Sequence, residues 1–161
     1  MKSLNPLTTP QLQLILEDLE AARQRIAELP EEFKKELSEA WLANFAKAEP
    51  GDPWVLGFRI FRNGHTDNSV GQCGFKGPPN DEGDVEIAYA IDPEWQGNGF
   101  ATEAARALTE FALQQPGVQR VLAHTLPETN ASVSVLARCG FNKVGEVIDP
   151  DDGPVWRFEK T

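Results

Sequence analysis

Between residues 85 and 115 a strand pattern runs into two glycines and then into a helix pattern. Val85 to Ile91 alternates, with Val85, Ile87, Tyr89 and Ile91 on one face and Glu86, Ala88 and Ala90 on the other. Asp92-Pro93 and then Gln96-Gly97-Asn98-Gly99 follow, and Ala101 to Gln115 places Ala101, Ala104, Ala105, Leu108 and Ala112 on one helix face. Glycines let backbone N–H groups approach an anion without a Cβ in the way, and a helix N-terminus adds unpaired N–H groups and partial positive charge. Strand, glycines and helix together form a candidate pyrophosphate cradle. A plain tight turn would give the same two glycines, so the turn alone does not decide. Two rival nucleotide signatures fit poorly. The chain has no Gly-Lys-Ser/Thr, and Thr102 stands where a dinucleotide fingerprint has its third glycine. Repeated strand–helix–strand units are also missing around it.

The flanking segments supply the rest of a fold. Leu12, Leu14 and Leu16 alternate as a short strand. Glu17 to Leu29 reads as helix, and Pro30 opens a second helix carrying Phe33, Leu37, Trp41, Leu42 and Phe45 at helical spacing. Pro50-Gly51-Asp52-Pro53 stops it. Trp54 to Arg62 and Ser69 to Phe75 read as strands, with a loop from Asn63 through Asn68 between them. Residues 77 to 83 are loop, Arg120 to Thr125 strand, and Ser132 to Cys139 a short helix ended by Gly140. Phe141 to Val147 and Val155 to Phe158 close the chain around the acidic turn Asp149-Pro150-Asp151-Asp152-Gly153. This order predicts an α+β (mixed α/β) fold: a central mixed, mostly antiparallel sheet flanked by helices in three layers, α/β/α.

Bulk properties narrow the function classes. A length of 161 residues suits one domain spanning 1–161. No apolar stretch reaches membrane-spanning length, and the opening Met1-Lys2-Ser3-Leu4-Asn5-Pro6 lacks the apolar core of a secretory signal. No membrane and a cytoplasmic location are therefore expected. The net charge of −10 argues against a nucleic-acid partner, since no basic residues cluster to offset it. It favours a cationic substrate only mildly, because surplus acid also serves solubility. Cys73 and Cys139 are too few for a disulfide scaffold, and no His or Cys has zinc-site spacing, so no metal is expected.

Gln96-Gly97-x-Gly99-x-Ala101, after a strand and Asp92-Pro93, resembles the pyrophosphate signature of the GNAT superfamily of N-acetyltransferases. Asn130-Ala131-Ser132, followed by Val135-Leu136-Ala137-Arg138-Cys139-Gly140-Phe141, is similar to a second segment of that family, in the right order and at the right separation. The match covers roughly residues 54 to 147, and Glu86-Ile87-x-Tyr89 resembles the RimJ/RimL-type branch that acetylates ribosomal-protein N-termini. The resemblance implies acetyl-CoA as cosubstrate and direct acetyl transfer to a primary amine, on a small molecule or a peptide. A homodimer is common in such folds. It implies backbone donors near Ile91 for the thioester oxygen. Gln96, Gly97, Asn98, Gly99, Phe100, Ala101 and Thr102 would hold the pyrophosphate, Asn130 the pantetheine arm and Arg138 the adenosine end. An alternative is an acyl-CoA-sensing module without catalysis.

Amine acetylation also needs a base and an acid. Glu86 is the base candidate: two alanines share its strand face and leave room for a substrate, and partial burial would raise its pKa. A solvent-facing strand Glu is the plainer reading. Many family members place a tyrosine where this chain has Leu136. Ser132, matching a family serine, is the replacement acid, although serine also caps helices. Tyr89, on the face opposite Glu86, reads as core.

Overall fold

A short antiparallel hairpin, β1 (Leu7–Thr8) and β2 (Leu12–Leu16), starts the sheet. β3 (Phe58–Arg62), β4 (His65–Phe75) and β5 (Asp84–Ile91) add to it antiparallel. β6 (Arg120–Thr125) then joins β5 in parallel, and β8 (Gly153–Lys160) and β7 (Asn142–Asp149) complete the order β1-β2-β3-β4-β5-β6-β8-β7. This computed structural model describes residues 5–150 and 152–161. The start of the segment judged for a secretory signal, and Asp151 of the acidic turn, lie outside the described residues. Among the described residues no helix is long and apolar enough to cross a membrane.

Helices pack on both faces, as the pattern predicts. α4 (Phe100–Leu113) buries Ala104, Ala105, Leu108 and Ala112 completely. It shares one core with Val85, Ile87 and Val121 of the central strands. α5 (Ala131–Arg138) joins that core through Val135 and Leu136. Trp54, Phe75 and Phe111 cluster at its edge, the Trp54 and Phe75 ring centroids 4.8 Å apart. α1 (Leu19–Ala27), α2 (Glu31–Lys34) and α3 (Glu39–Ala46) precede β3. α1 and α3 face the other side of β5, across a cleft from Ala88 and Ala90. α3 buries no residue, so it is the most lightly held cover of that cleft.

Three boundaries differ from the sequence reading. The helix expected from Pro30 onward is two helices, because the Ser38 hydroxyl accepts from Trp41 N–H at 3.0 Å and starts a new one. Trp54 to Leu56 is a turn rather than strand, with the Asp52 carboxylate accepting from Trp54 N–H at 3.0 Å. His65 to Asn68 belongs to β4. Asn63-Gly64 is a two-residue turn that pairs Arg62 with His65, and Gly64 takes φ +80° at its corner.

β5 and β6 pair over only three positions, Asp84 with Arg120, Val85 with Val121 and Glu86 with Leu122. Arg120 closes this junction as a fork, donating from Nε to Asp84 Oδ1 at 2.7 Å and from Nη2 to Oδ2 at 3.0 Å. The hydrogen bonds and charge of Arg120 hold the buried Asp84 carboxyl below its ordinary range against the opposing effect of burial. A lowered carboxyl pKa stabilises the fold at neutral pH, and that contribution is lost as pH falls through the folded value. The melting temperature should therefore drop in acid below about pH 4, the ordinary Asp range. Asp84→Asn should melt lower at pH 7 and lose part of that acid sensitivity in a thermal-melt series.

Gly71 of β4 sits opposite Ile91. A Cβ there would lie 2.3 Å from the Ala90 carbonyl oxygen, so Gly71→Ala must push β5 away. A loss of about 1–3 kcal/mol is expected in denaturant unfolding, as for other overpacked interiors.

Candidate active site

Beyond Glu86 the two central strands separate, and the edge of β5 that faced β6 is left open. Asp92 N–H donates to Val70 O at 2.9 Å and Glu86 O accepts from Lys76 N–H at 2.9 Å, so these backbone groups point toward β4. By strand alternation the backbone groups of Tyr89 and Ile91 point the other way, into the gap. The Ile91 carbonyl there accepts from Gln96 Nε2 at 3.0 Å. The N–H groups of Tyr89 and Ile91 are the donors that this edge offers to an oxygen placed in the gap.

A cleft of about 580 Å³ fills the gap and runs from Tyr89, Ala90 and Ile91 to the start of α4 and along α5. Gly97 and Gly99 adopt φ +85° and +79°, and a Cβ on either would meet no atom within 4 Å. Each glycine therefore opens directly onto space a ligand can take, and either φ would strain a residue with a Cβ. Gly99 is the N-cap of α4, so the free N–H groups of the first turn face the same space. The acid of that turn, Glu103, is held elsewhere. It accepts from Thr9 Oγ1 at 2.5 Å and from Gln11 N–H at 3.0 Å. Burial would raise its pKa, but these hydrogen bonds lower it on balance and keep its charge on the β1–β2 hairpin. An anion at the cradle is thus spared a facing carboxylate.

The structure brings most of the expected cofactor residues together. Ile91, Gln96, Gly97, Gly99, Phe100, Ala101, Thr102 and Arg138 all line the cleft, as does Ser132. Arg138 is exposed at its rim, and its carbonyl accepts from Arg106 Nη2 at 3.1 Å. The side chains of the other two make local hydrogen bonds. Asn98 donates to Trp95 O at 2.9 Å, which folds the turn, and Asn130 caps α5 by accepting from Val133 N–H at 3.1 Å. Neither lines the cleft. Because Asn130 is the cap, the Ser132 hydroxyl is free of that duty.

Glu86 lies on the sheet face opposite this cleft, 22% exposed, and lines neither cavity. Lys76 Nζ is 2.8 Å from its carboxylate, and His124 Nδ1 is 3.0 Å away but outside hydrogen-bonding geometry. Burial works to lower the Lys76 pKa, while Glu86, Asp149 and Asp152 raise it on balance. Glu86 is thus partly buried, as expected, with charged neighbours beside it. A second cleft, about 310 Å³, opens on that face between α1, α3 and the strands. The aromatic rings of Trp41 and Phe45, stacked at 5.0 Å, stand in its wall. Both clefts include Tyr89 and Ala90, so they meet across β5. Neither this second cleft nor the place of Tyr89 was read from the sequence, since each needs residues distant in the chain.

A family model for the acetyltransferase (GNAT) domain matches residues 4–142. The chain belongs to the GNAT acetyltransferase family. Among curated relatives, a ribosomal protein uS5 alanine N-acetyltransferase of Escherichia coli K12 is 33% identical over 63 residues, 39% of this chain and 32% of that protein. The chain spans about half, or less, of the length of the curated relatives it matches. Among solved structures, a ribosomal L7/L12 alpha-N-protein acetyltransferase in complex with coenzyme A superposes with TM-score 0.69 over 97% of both chains at 14% identity. An aminoglycoside acetyltransferase in complex with coenzyme A and kanamycin gives 0.63 over 93% of this chain and 94% of that one at 20% identity. At these identities the likeness is one of fold.

Substituting Gly97 by Ala should weaken acetyl-CoA binding by about tenfold or more, because the methyl enters ligand space and the left-handed backbone is strained by about 1–2 kcal/mol. Calorimetric titration beside a thermal melt separates the two effects.

Proposed function

We propose that the protein is an acetyl-CoA-dependent N-acetyltransferase that acts on a primary amine by direct attack in a ternary complex. The observation that carries this reading is the meeting of two clefts at Tyr89 and Ala90, beside open backbone donors of β5. A thioester in the first cleft and an amine in the second approach each other across that strand edge without a covalent enzyme intermediate. Holding both reactants there supplies the positional part of the acceleration.

The amides of Gly97 to Thr102 and the helix dipole of α4 hold the pyrophosphate, and Arg138 takes charge at the nucleotide end. Ile91 N–H, with Tyr89 N–H beside it, stabilises the oxyanion that forms on the thioester oxygen. Glu86, held by Lys76, draws the proton from the amine through water along the Ala88–Ala90 face. Ser132 stands in the cofactor cleft at the sulfur end.

The acceptor is a peptide N-terminus or a small-molecule amine. The charged residues of its cleft are Glu17, Arg25 and Arg59. Arg25 donates to both Glu17 oxygens at 3.0 and 3.1 Å. The surplus acid of the surface is therefore not concentrated here, and a polycation gains nothing from this wall. Apolar and aromatic side chains supply the rest, which suits one amine beside an apolar group.

A thiol-release assay over peptides with different N-termini and small monoamines tests the reading. Turnover is expected on at least one, with kcat/KM falling about 10²–10⁴-fold in Glu86→Gln, the range of general-base contributions. Tight acetyl-CoA binding with no turnover on any amine would instead make the chain an acyl-CoA-binding module.

A further inference from the structure

Building on the acetyltransferase reading, we propose that Tyr89 is the residue that protonates the departing thiolate, with Ser132 positioning its hydroxyl. When the tetrahedral adduct collapses, the C–S bond breaks and its electron pair leaves on sulfur. The Tyr89 O–H bond breaks, an S–H bond forms, and the negative charge moves to the phenolate. The proton that the amine nitrogen releases to Glu86 and water returns through solvent to the phenolate. The products are the amide and the free thiol, with no other reactant.

Leu136, at the place of the tyrosine in many family members, is a fully buried hydrocarbon and does not line the cleft. Position 136 therefore offers the cleft no proton donor. Tyr89 is the chain's one tyrosine and comes from the neighbouring strand instead. Alternation on β5 points its side chain away from Glu86 and toward α4 and α5, where it lines the cofactor cleft beside Ser132. Base and acid are thus divided by the strand itself. Glu86 lies on the face that opens to the amine, and Tyr89 on the face that opens to the thioester.

The chemistry of the alternatives favours the phenol. A phenol, with an ordinary pKa of about 10, lies far nearer to an alkyl thiol, about 8.5 for cysteine, than an aliphatic alcohol does, so it gives up its proton to a departing thiolate at the smaller cost. Ser132, Ser134 and Thr102 are aliphatic alcohols and far weaker acids. The Trp95 indole N–H has no hydrogen-bond partner among the described residues, but an indole can donate a hydrogen bond without giving up its proton. Burial raises the Tyr89 pKa and keeps the phenol protonated, while the Ser132 hydroxyl opposes that rise as a hydrogen-bond partner. The titratable neighbours are Cys73, opposite Tyr89 on β4, and Cys139 at the end of α5; burial pushes both thiols up, so both stay neutral. Among the described residues that line the cleft, Arg138 at its rim is the charged one.

Tyr89→Phe keeps the ring and removes the hydroxyl. Its kcat should fall by about 10²-fold, with KM for acetyl-CoA within about twofold, as for loss of a proton donor. In Ser132→Ala the alkaline limb of the kcat profile should move to higher pH, because a partner favouring the phenolate is gone. The thiol of bound CoA, titrated by the ¹³C shift of the methylene next to sulfur, reads the contact without turnover. It should be about tenfold more acidic in the unmodified protein than in Tyr89→Phe, because the phenol donates to the thiolate. Equal thiol titration in both, with binding of CoA verified in each, would overturn the proposal. So would a kcat in Tyr89→Phe within about threefold of the unmodified protein's. If no amine is acetylated, the enzyme reading fails by itself, and the thiol titration still decides whether Tyr89 meets the sulfur.

Discussion

The parallel contact between β5 and β6 is three residues long, and the site depends on its being so short. Asp84 and Arg120 face each other at its closed end, where the Arg120 fork ties a buried carboxylate across the two strands. Glu82, Glu159 and Arg157 surround that pair at 3.6 to 3.9 Å, so the junction is held by a network of charges rather than one bond. Past Glu86 no ladder continues, and the strands diverge into a cleft. A sheet that paired these strands to their ends would satisfy the Tyr89 and Ile91 backbone groups internally and leave them nothing to offer a substrate.

The open edge also explains why the two sides of the site differ in character. On the α4 side the groups facing the cleft are backbone amides, two glycines and a helix start, which suit an anionic ligand whatever its far end looks like. On the α1–α3 side the walls are side chains from a lightly packed helix and the strand face. Such walls change with sequence at little cost to the fold. The fold therefore constrains the α4 side of the site more tightly than the α1–α3 side.

How much of this was legible in the sequence follows from how local each feature is. The turn at Gly97 and Gly99 was legible because positive φ and a following helix are properties of adjacent residues. The face of Glu86 was legible too, since alternation along a strand needs no partner. Ser38 as a cap was missed, since Phe33, Trp41 and Phe45 keep helical spacing through the break while a single hydroxyl ends it. His65 to Asn68 was missed because those residues are exposed and polar, and only His65 pairs across, with Arg62, before the register shifts to Phe61 and Ser69. Lys76 and His124 reach Glu86 from two other segments of the chain, a through-space fact that spacing does not contain. Tyr89 read as core for the same reason: its ring does face the core side, and only the opening of β5 from β6 turns that position into a cleft wall.

Backbone amide NMR during titration with acetyl-CoA tests the central claim most directly, since it reads the proposed donors themselves. The shifts are expected to concentrate at Ile91, at Gly97 through Thr102 and at Ser132, with the start of β4 from His65 to Asn68 unmoved. Saturable shifts elsewhere, with those amides unchanged, would contradict a site built on the open edge of β5 and the start of α4.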